Sequence, residues 1–191
     1  MSFATGLALS TAAGFNAYLP LLVTGVLARS TDLITLDAPF DRLEEPVVLA
    51  VIAAVGVVDF VGDKVPAIDH VLHAIGLVVA PVSGAFLALG VGPDEGALPA
   101  IALVSGAVAA GAAQGARSIA RPVSTVATGG IGNPIVSLGE DGVSAMLSFT
   151  AIVVPIVALV LAVAVLVLLL FAIRRFRRAA RSRVRPATPP P

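Results

Sequence analysis

The chain has 191 residues, of which 58% are hydrophobic and 13% are charged. Soluble domains carry about 25% charged residues, so this composition excludes an ordinary soluble domain and indicates a polytopic membrane protein. Formal net charge is zero, but seven of the twelve basic residues lie from residue 174 onward. The remaining body is acidic, which favours cations over anions as solutes. There is no cysteine, so thiolate metal sites and thiol catalysis are excluded.

Five apolar stretches approach the roughly 20 residues that a helix needs to cross a bilayer. They are residues 3–28, 46–62, 71–92, 98–120 and 143–172. The first stretch lacks the basic residues that begin a cleaved signal, so we interpret it as a retained helix. The sequence therefore predicts an all-α transmembrane bundle of five or six spans over residues 1–173, followed by a basic, proline-ending tail over residues 174–191.

The basic tail predicts the orientation of the chain. By the positive-inside rule the tail stays in the cytoplasm, which predicts a multi-pass protein of the inner (cytoplasmic) membrane with a cytoplasmic C-terminus. Five spans then put the N-terminus outside. We expect the arginines to contact the anionic lipid of the bilayer rather than nucleic acid.

Residues 121–142 are rich in glycine and proline and only mildly polar. They are a candidate re-entrant segment, since irregular backbone at membrane depth must be buried in protein or line a cavity. If this segment crosses fully, there are six spans and the N-terminus lies inside.

The sequence contains a short internal similarity: Ala12–Gly14, just before Asn16, resembles Ala109–Gly111, just before Gln114. Its spacing predicts two halves facing opposite ways, the inverted repeat of many secondary transporters. Chance similarity in alanine- and glycine-rich sequence is the alternative.

Small residues also form a G-x-x-x-G pair, Gly111 and Gly115, in the fourth stretch. Such faces allow close helix packing. That packing would join two copies in a homo-oligomer or simply close a single bundle.

Three carboxylates, two histidines and the only lysine lie within residues 59–73, where the second stretch ends and the third begins. Asp59 and Asp63 are one helical turn apart, and Asp69 and His73 repeat that spacing, so each pair shares a helix face. These four residues could converge on a divalent cation or form a proton relay, since histidine titrates near neutral pH. The alternative is a salt-bridge network at the interface, with Lys64 pairing to Asp63 or Asp59. Charge at membrane depth predicts a functional site.

Further polar residues lie within or beside the other spans. We expect Asn16, beside the helix-breaking Pro20, to line a cavity or to hold helices together. Gln114, Arg117 and Arg121 lie at i, i+3 and i+7 on the fourth predicted helix and form a polar stripe. These side chains could neutralise buried acids or extend to the surface. The predicted polar centre comprises Asn16, Lys64, Gln114, Arg117, Arg121, Asn133, Glu140 and Asp141.

Four segments carry a resemblance to a known family: Ala13–Leu22, Asp63–Asp69, Pro81–Ala85 and Asn133–Asp141. With them the chain resembles a bacterial family of small integral membrane proteins known only as a domain of unknown function, DUF4126. The resemblance implies a membrane protein and no established activity.

The leading functional hypothesis is a small transporter or channel-like permease for a cation or a proton-coupled solute, with no cofactor beyond a divalent cation. The alternative is a non-transporting membrane subunit or a lipid-interacting structural protein. We predict no enzymatic activity, because the sequence contains no P-loop, dinucleotide fingerprint, HExxH motif or visible nucleophile–base pair.

Overall fold

The computed structural model describes residues 2–91, 98–129 and 131–183. These residues form seven α-helices and one short 3-10 helix, Phe40–Glu44, and the predicted all-α bundle is confirmed. The α-helices are α1 Phe3–Phe15, α2 Leu19–Ser30, α3 Pro46–Gly62, α4 Pro66–Gly90, α5 Pro99–Thr128, α6 Asn133–Val153 and α7 Pro155–Arg183. Four described helices, α4 to α7, contain segments long and apolar enough to cross a membrane. The chain is therefore a helical membrane protein.

Proline sets where most of these helices begin. Pro46, Pro66, Pro99 and Pro155 are the first residues of α3, α4, α5 and α7, and α2 and α6 have proline at their second position. The first amides of a helix have no partner within the helix, so proline loses nothing there. The predicted stretch 143–172 is therefore divided between α6 and α7 at residue 154.

The predicted span over residues 3–28 is corrected to two short helices. α1 ends at Phe15, the backbone is extended at Asn16, and α2 begins at Leu19. With 13 and 12 residues, each helix is roughly 20 Å long at 1.5 Å per residue. The hydrocarbon core of a bilayer is about 30 Å thick, so neither helix crosses it alone.

α1 and α4 run in opposite directions. Gly6 lies beside Ala88, and Ser10 donates a hydrogen bond to the Gly84 carbonyl at 2.7 Å. Moving forward along α1 is therefore moving backward along α4.

α2 returns in the direction opposite to α1. Tyr18 lies beside Gly56, and Gly25 lies beside Leu49, so α2 is antiparallel to α3. α3 and α4 are joined by the short connection 63–65 and are antiparallel to each other. α1 and α2 consequently form a helical hairpin, and the chain reverses at residues 16–18.

α1 is the central helix of the bundle. Apart from Leu7, every residue from Thr5 to Phe15 is buried, and most of them are small. At Gly14 a Cβ atom would meet the Ala110 carbonyl and the Ala113 side chain. Small residues thus let α4, α5, α6 and α7 approach this helix closely, as expected where van der Waals packing holds helices together.

α1 and α5 run in the same direction, since Ser10 lies beside Gly106 and Gly14 lies beside Ala110. Helices related by an inverted repeat would run in opposite directions. The geometry therefore gives no support to an inverted repeat that pairs these two helices.

Residues 121–142 are helical on both sides of a tight turn. α5 continues to Thr128 and ends at Gly129, which has a φ of +63°, the left-handed conformation that commonly terminates helices. α6 then begins at Asn133. The backbone that reverses within the bundle is instead the α1–α2 hairpin.

Because successive helices run in alternating directions, the connections between them lie at two opposite ends of the bundle. Ala158, near the start of α7, belongs to the same apolar cluster as Ile34 in the loop 31–45. Ala162 packs with Phe15 one turn further along. The arginine-rich end of α7 therefore lies at the same end as the α3–α4 and α5–α6 connections, which we call the basic end. The loop 31–45 lies at the other end.

Candidate functional site: a buried polar centre

Four charged side chains, two from α5, one from α6 and one from the α3–α4 connection, meet toward the basic end of the bundle. Arg117 donates to Asp63 Oδ2 and to Glu140 Oε2, each at 2.6 Å. Arg121 donates to the same two oxygens, each at 2.8 Å. All four residues are buried, with between 4% and 9% of their surface exposed. We call these four residues the ionic network.

Sequence spacing explains how the ionic network forms. Arg117 and Arg121 are four residues apart and so share one face of α5. Asp63 caps the end of α3 ahead of Pro66, and Glu140 lies two turns into α6. The two cations therefore come from one helix and the two carboxylates from two others, so the network ties α3, α5 and α6 together.

Asn16 connects the helix reversal to α6. Its side-chain oxygen accepts hydrogen bonds from the Tyr18 and Leu19 amides at 3.0 Å, which supplies partners to the first amides of α2. Its amide nitrogen donates to Asp141 Oδ1 at 2.8 Å. Ser144 also donates to a backbone carbonyl of α1 at 2.9 Å. The tip of the hairpin is thus held against α6 by polar contacts.

Lys64 contacts α3 and α6. Its ammonium group donates to the Phe60 carbonyl at 2.6 Å, lies over the Phe60 ring at 3.2 Å, and is 4.0 Å from Asp141 Oδ2. The predicted alternative paired this lysine with Asp59 or Asp63. In the structure its carboxylate partner is Asp141, and Asp63 is held by the two arginines.

A small cavity of about 20 Å³ lies beneath the helix reversal. Its polar lining includes Tyr18 from the reversal, Asp59 from α3, His73 from α4 and Gln114 and Arg117 from α5. A cavity of roughly 10–15 Å³ is enough for one water molecule. The site therefore has room for a single water beside the ionic network.

The predicted metal site brought together Asp59, Asp63, Asp69 and His73. The side chain of Asp69 lies outside the described residues. Within the described part of the chain, no group of three histidine, aspartate or glutamate side chains is arranged to hold a metal ion. Asp63 is already neutralised by two guanidinium groups, so the geometry gives the divalent-cation hypothesis no support.

Of the eight residues predicted to form the polar centre, seven lie in or beside it. Asn133 lies apart, where its amide nitrogen donates to Thr125 across the α5–α6 turn at 2.9 Å. Sequence reasoning gave no role to Ser137, whose hydroxyl donates to Asp63 Oδ2 at 3.4 Å. Its position one turn before Glu140 on α6 is the signal that could have identified it.

The fold and this centre define a class: a small all-helical membrane protein with buried, paired charges beside a reversed helical hairpin. A family profile described as "Domain of unknown function (DUF4126)" matches residues 3–175. The chain belongs to this family, which confirms the resemblance seen in the sequence. No curated protein and no solved structure matches it.

Proposed function

We propose that this protein is a small transporter or channel-like permease that moves a cation or a proton-coupled solute across the cytoplasmic membrane. The observation that carries the proposal is the reversal of buried backbone at residues 16–18 against a cluster of buried charges. Interrupted helices form the solute sites of many secondary transporters. Ionisable residues inside a membrane bundle typically mark ion or proton pathways.

The distribution of charge supports an orientation for this transporter. The basic end carries Lys64 and the arginines that begin at Arg174, whereas the loop 31–45 at the other end contains five acidic residues and one arginine. The positive-inside rule would place the basic end, and with it the C-terminus, in the cytoplasm. The polar centre would then lie nearer the cytoplasmic surface, with the α1–α2 hairpin reaching it from outside.

α3 is the element best placed to move in a transport cycle. It carries Asp59 and ends at Asp63, yet Gly62 is its only buried residue. A shift of α3 would break few apolar contacts, while it would separate Asp63 from Arg117 and Arg121. Regions with few buried contacts open at the lowest free energy, so such a shift would couple the ionic network to access from one side.

The test is current measurement on proteoliposomes adsorbed to a solid-supported membrane, with concentration jumps of protons, sodium, potassium, magnesium and calcium. We expect a transient current above that of empty liposomes for at least one of these ions. The current should be lost in Asp63→Asn and kept in Asp41→Asn, a matched change at an exposed residue of the 3-10 helix. Wild-type currents equal to those of empty liposomes for every ion would overturn the proposal.

A second candidate function is a non-transporting subunit that binds anionic lipid. The observation that favours it is the basic extension of α7, where Arg174, Arg175 and Arg178 are exposed. Juxtamembrane arginine clusters attract anionic headgroups. Deleting residues 174–191 distinguishes the two functions: transport should survive the deletion, whereas a lipid-binding subunit should lose its anionic lipid or a co-purifying partner.

A further inference from the structure

The cavity beneath the helix reversal contains a buried hydrogen-bond donor without a protein partner. Gln114 is 2% exposed, and its side-chain oxygen faces Arg117 at 3.5 Å. Its amide nitrogen has no hydrogen-bond partner within the described part of the chain. This nitrogen points at Gly76, where a Cβ atom would lie only 2.6 Å away, and both residues line the cavity. Leaving a buried donor without a partner is unfavourable, so a water in the cavity would stabilise the site.

Asp59 of α3 lines the same cavity and is half-buried. Asp63, Glu140 and Asp141 each have a hydrogen-bonded or ion-paired partner. For Asp59 the described side chains supply neither an ion pair nor a hydrogen bond. A half-buried carboxylate without a partner is unfavourable as an anion, because desolvation disfavours the charged form. Asp59 is thus the carboxylate of the polar centre that is available to bind a proton or a cation.

The groups around the cavity suit a proton better than a metal ion. The groups that line the cavity from α5 include the Gln114 amide nitrogen and the Arg117 guanidinium. These groups donate hydrogen bonds and offer no lone pair to a metal. The cavity also has room for about one water, which is too little for a hydrated cation. Among the described residues, no three histidine, aspartate or glutamate side chains are arranged to hold a metal ion.

We propose that Asp59 is the proton-binding residue of this protein and that a water in the cavity delivers the proton to it. The water, held by the Gln114 amide, accepts a proton from the aqueous phase at the basic end. As it does so, one of its O–H bonds breaks, and that proton forms an O–H bond with an Asp59 carboxylate oxygen. Asp59 becomes a neutral carboxylic acid, the water is left unchanged, and no atom changes oxidation state.

Every helix around Asp59 contributes a group that influences this proton. The α1–α2 reversal contributes the Tyr18 hydroxyl, α4 contributes His73, and α5 contributes Arg117 with Arg121 behind it. α6 contributes Asp141, and Asp63 lies one turn further along Asp59's own helix. This inference rests on the proposed transport function only where it links proton binding to movement across the membrane. Proton binding to Asp59 can itself be measured without transport.

Infrared difference spectroscopy on the protein in liposomes tests proton binding directly. On acidification, wild type should gain a protonated-carboxyl C=O band that Asp59→Asn lacks. Asp59→Glu should regain the band at a shifted frequency, and Asp41→Asn should keep it unchanged. Gel filtration and circular dichroism establish that each variant is folded. A band of equal size in wild type and in folded Asp59→Asn would overturn the inference.

The cavity water is tested with Gly76→Val, which places side-chain atoms where the Gln114 amide now lies. The Asp59 band should then titrate at a pH different from that of wild type, because the amide that holds the delivering water is displaced. Gly115→Val is the matched control, since a Cβ atom at Gly115 meets nothing within 4 Å. Identical titration of the band in wild type and Gly76→Val would contradict the role of the cavity.

Proton currents in proteoliposomes separate this inference from the proposed function. Wild type should carry a current driven by a pH jump that Asp59→Asn loses. If the Asp59 band is present but wild type carries no current for any ion, proton binding stands and transport fails. If wild type carries a current that Asp59→Asn retains, and the band is also retained, transport stands and the inference fails.

Discussion

Replacing Arg117 with methionine tests whether the ionic network is a buried unit. Methionine keeps much of the side-chain length and removes the charge and the two hydrogen bonds at 2.6 Å. Arg121 would remain as the single guanidinium between Asp63 and Glu140. Removing one partner of a buried ion pair costs about 3–5 kcal/mol, because it leaves an uncompensated charge. Since Arg121 still contacts both carboxylates, we expect a loss near the lower figure, about 3 kcal/mol.

The measurement is reversible unfolding in mixed micelles, followed by circular dichroism as the fraction of denaturing detergent rises. A loss of about 3 kcal/mol is a change of roughly 100-fold or more in the unfolding equilibrium. Arg42→Met, in the exposed 3-10 helix, is the matched control and should change the free energy of unfolding by no more than about 0.5 kcal/mol.

A double-mutant cycle with Glu140→Gln supplies the refuting result. Removing Glu140 in the Arg117→Met background removes a stranded charge, so the two losses should fall short of additivity by about 1–3 kcal/mol. Strict additivity, or an Arg117→Met loss under about 1 kcal/mol, would show that solvent already screens these charges.

Three further predictions concern packing, the helix reversal and the tail. Gly14→Ala should destabilise the bundle by about 1–3 kcal/mol through overpacking against α5, whereas Gly115→Ala, in open space, should be neutral or stabilising; thermal unfolding in detergent measures both. Asn16→Ala should cost about 2 kcal/mol or more, because it removes a helix cap and leaves a buried carboxylate without its amide donor, and equal losses in Asn16→Ala and Asn133→Ala would contradict this. Exchanging the arginines of residues 174–178 for glutamine should weaken binding of anionic lipid, as measured by native mass spectrometry, and added salt should abolish the difference.

The helix reversal shows why hydropathy could not place the first two helices. Residues 3–28 are apolar along their whole length, so their composition matches that of a single span. The chain turns at residues 16–18 because Asn16 can cap α2 and bind Asp141, a residue 125 positions away. Composition indicates where the chain is apolar, but a contact over that distance decides where it reverses.

The polar centre was partly readable from spacing. The spacing of Arg117 and Arg121 predicted one shared face, and Glu140 and Asp141 were assigned to the same polar centre. The spacing did not predict which carboxylate each arginine or lysine would pair with. Lys64 was expected to pair with Asp59 or Asp63, but its carboxylate partner is Asp141 of α6, while its ammonium group also donates to the Phe60 carbonyl of α3.

The amino-acid sequence by itself determined the membrane class, the all-α fold, the helix starts at proline and the residues that carry charge, since these follow from local composition and backbone chemistry. It also determined the family, through segments spread over most of the chain. Only the tertiary structure decided that α1 and α2 form a hairpin, that α1 and α5 run in the same direction, and that Asp59 faces a cavity while Asp63 is locked between arginines. Those features depend on helix directions and on contacts between residues far apart in sequence, which local patterns do not encode.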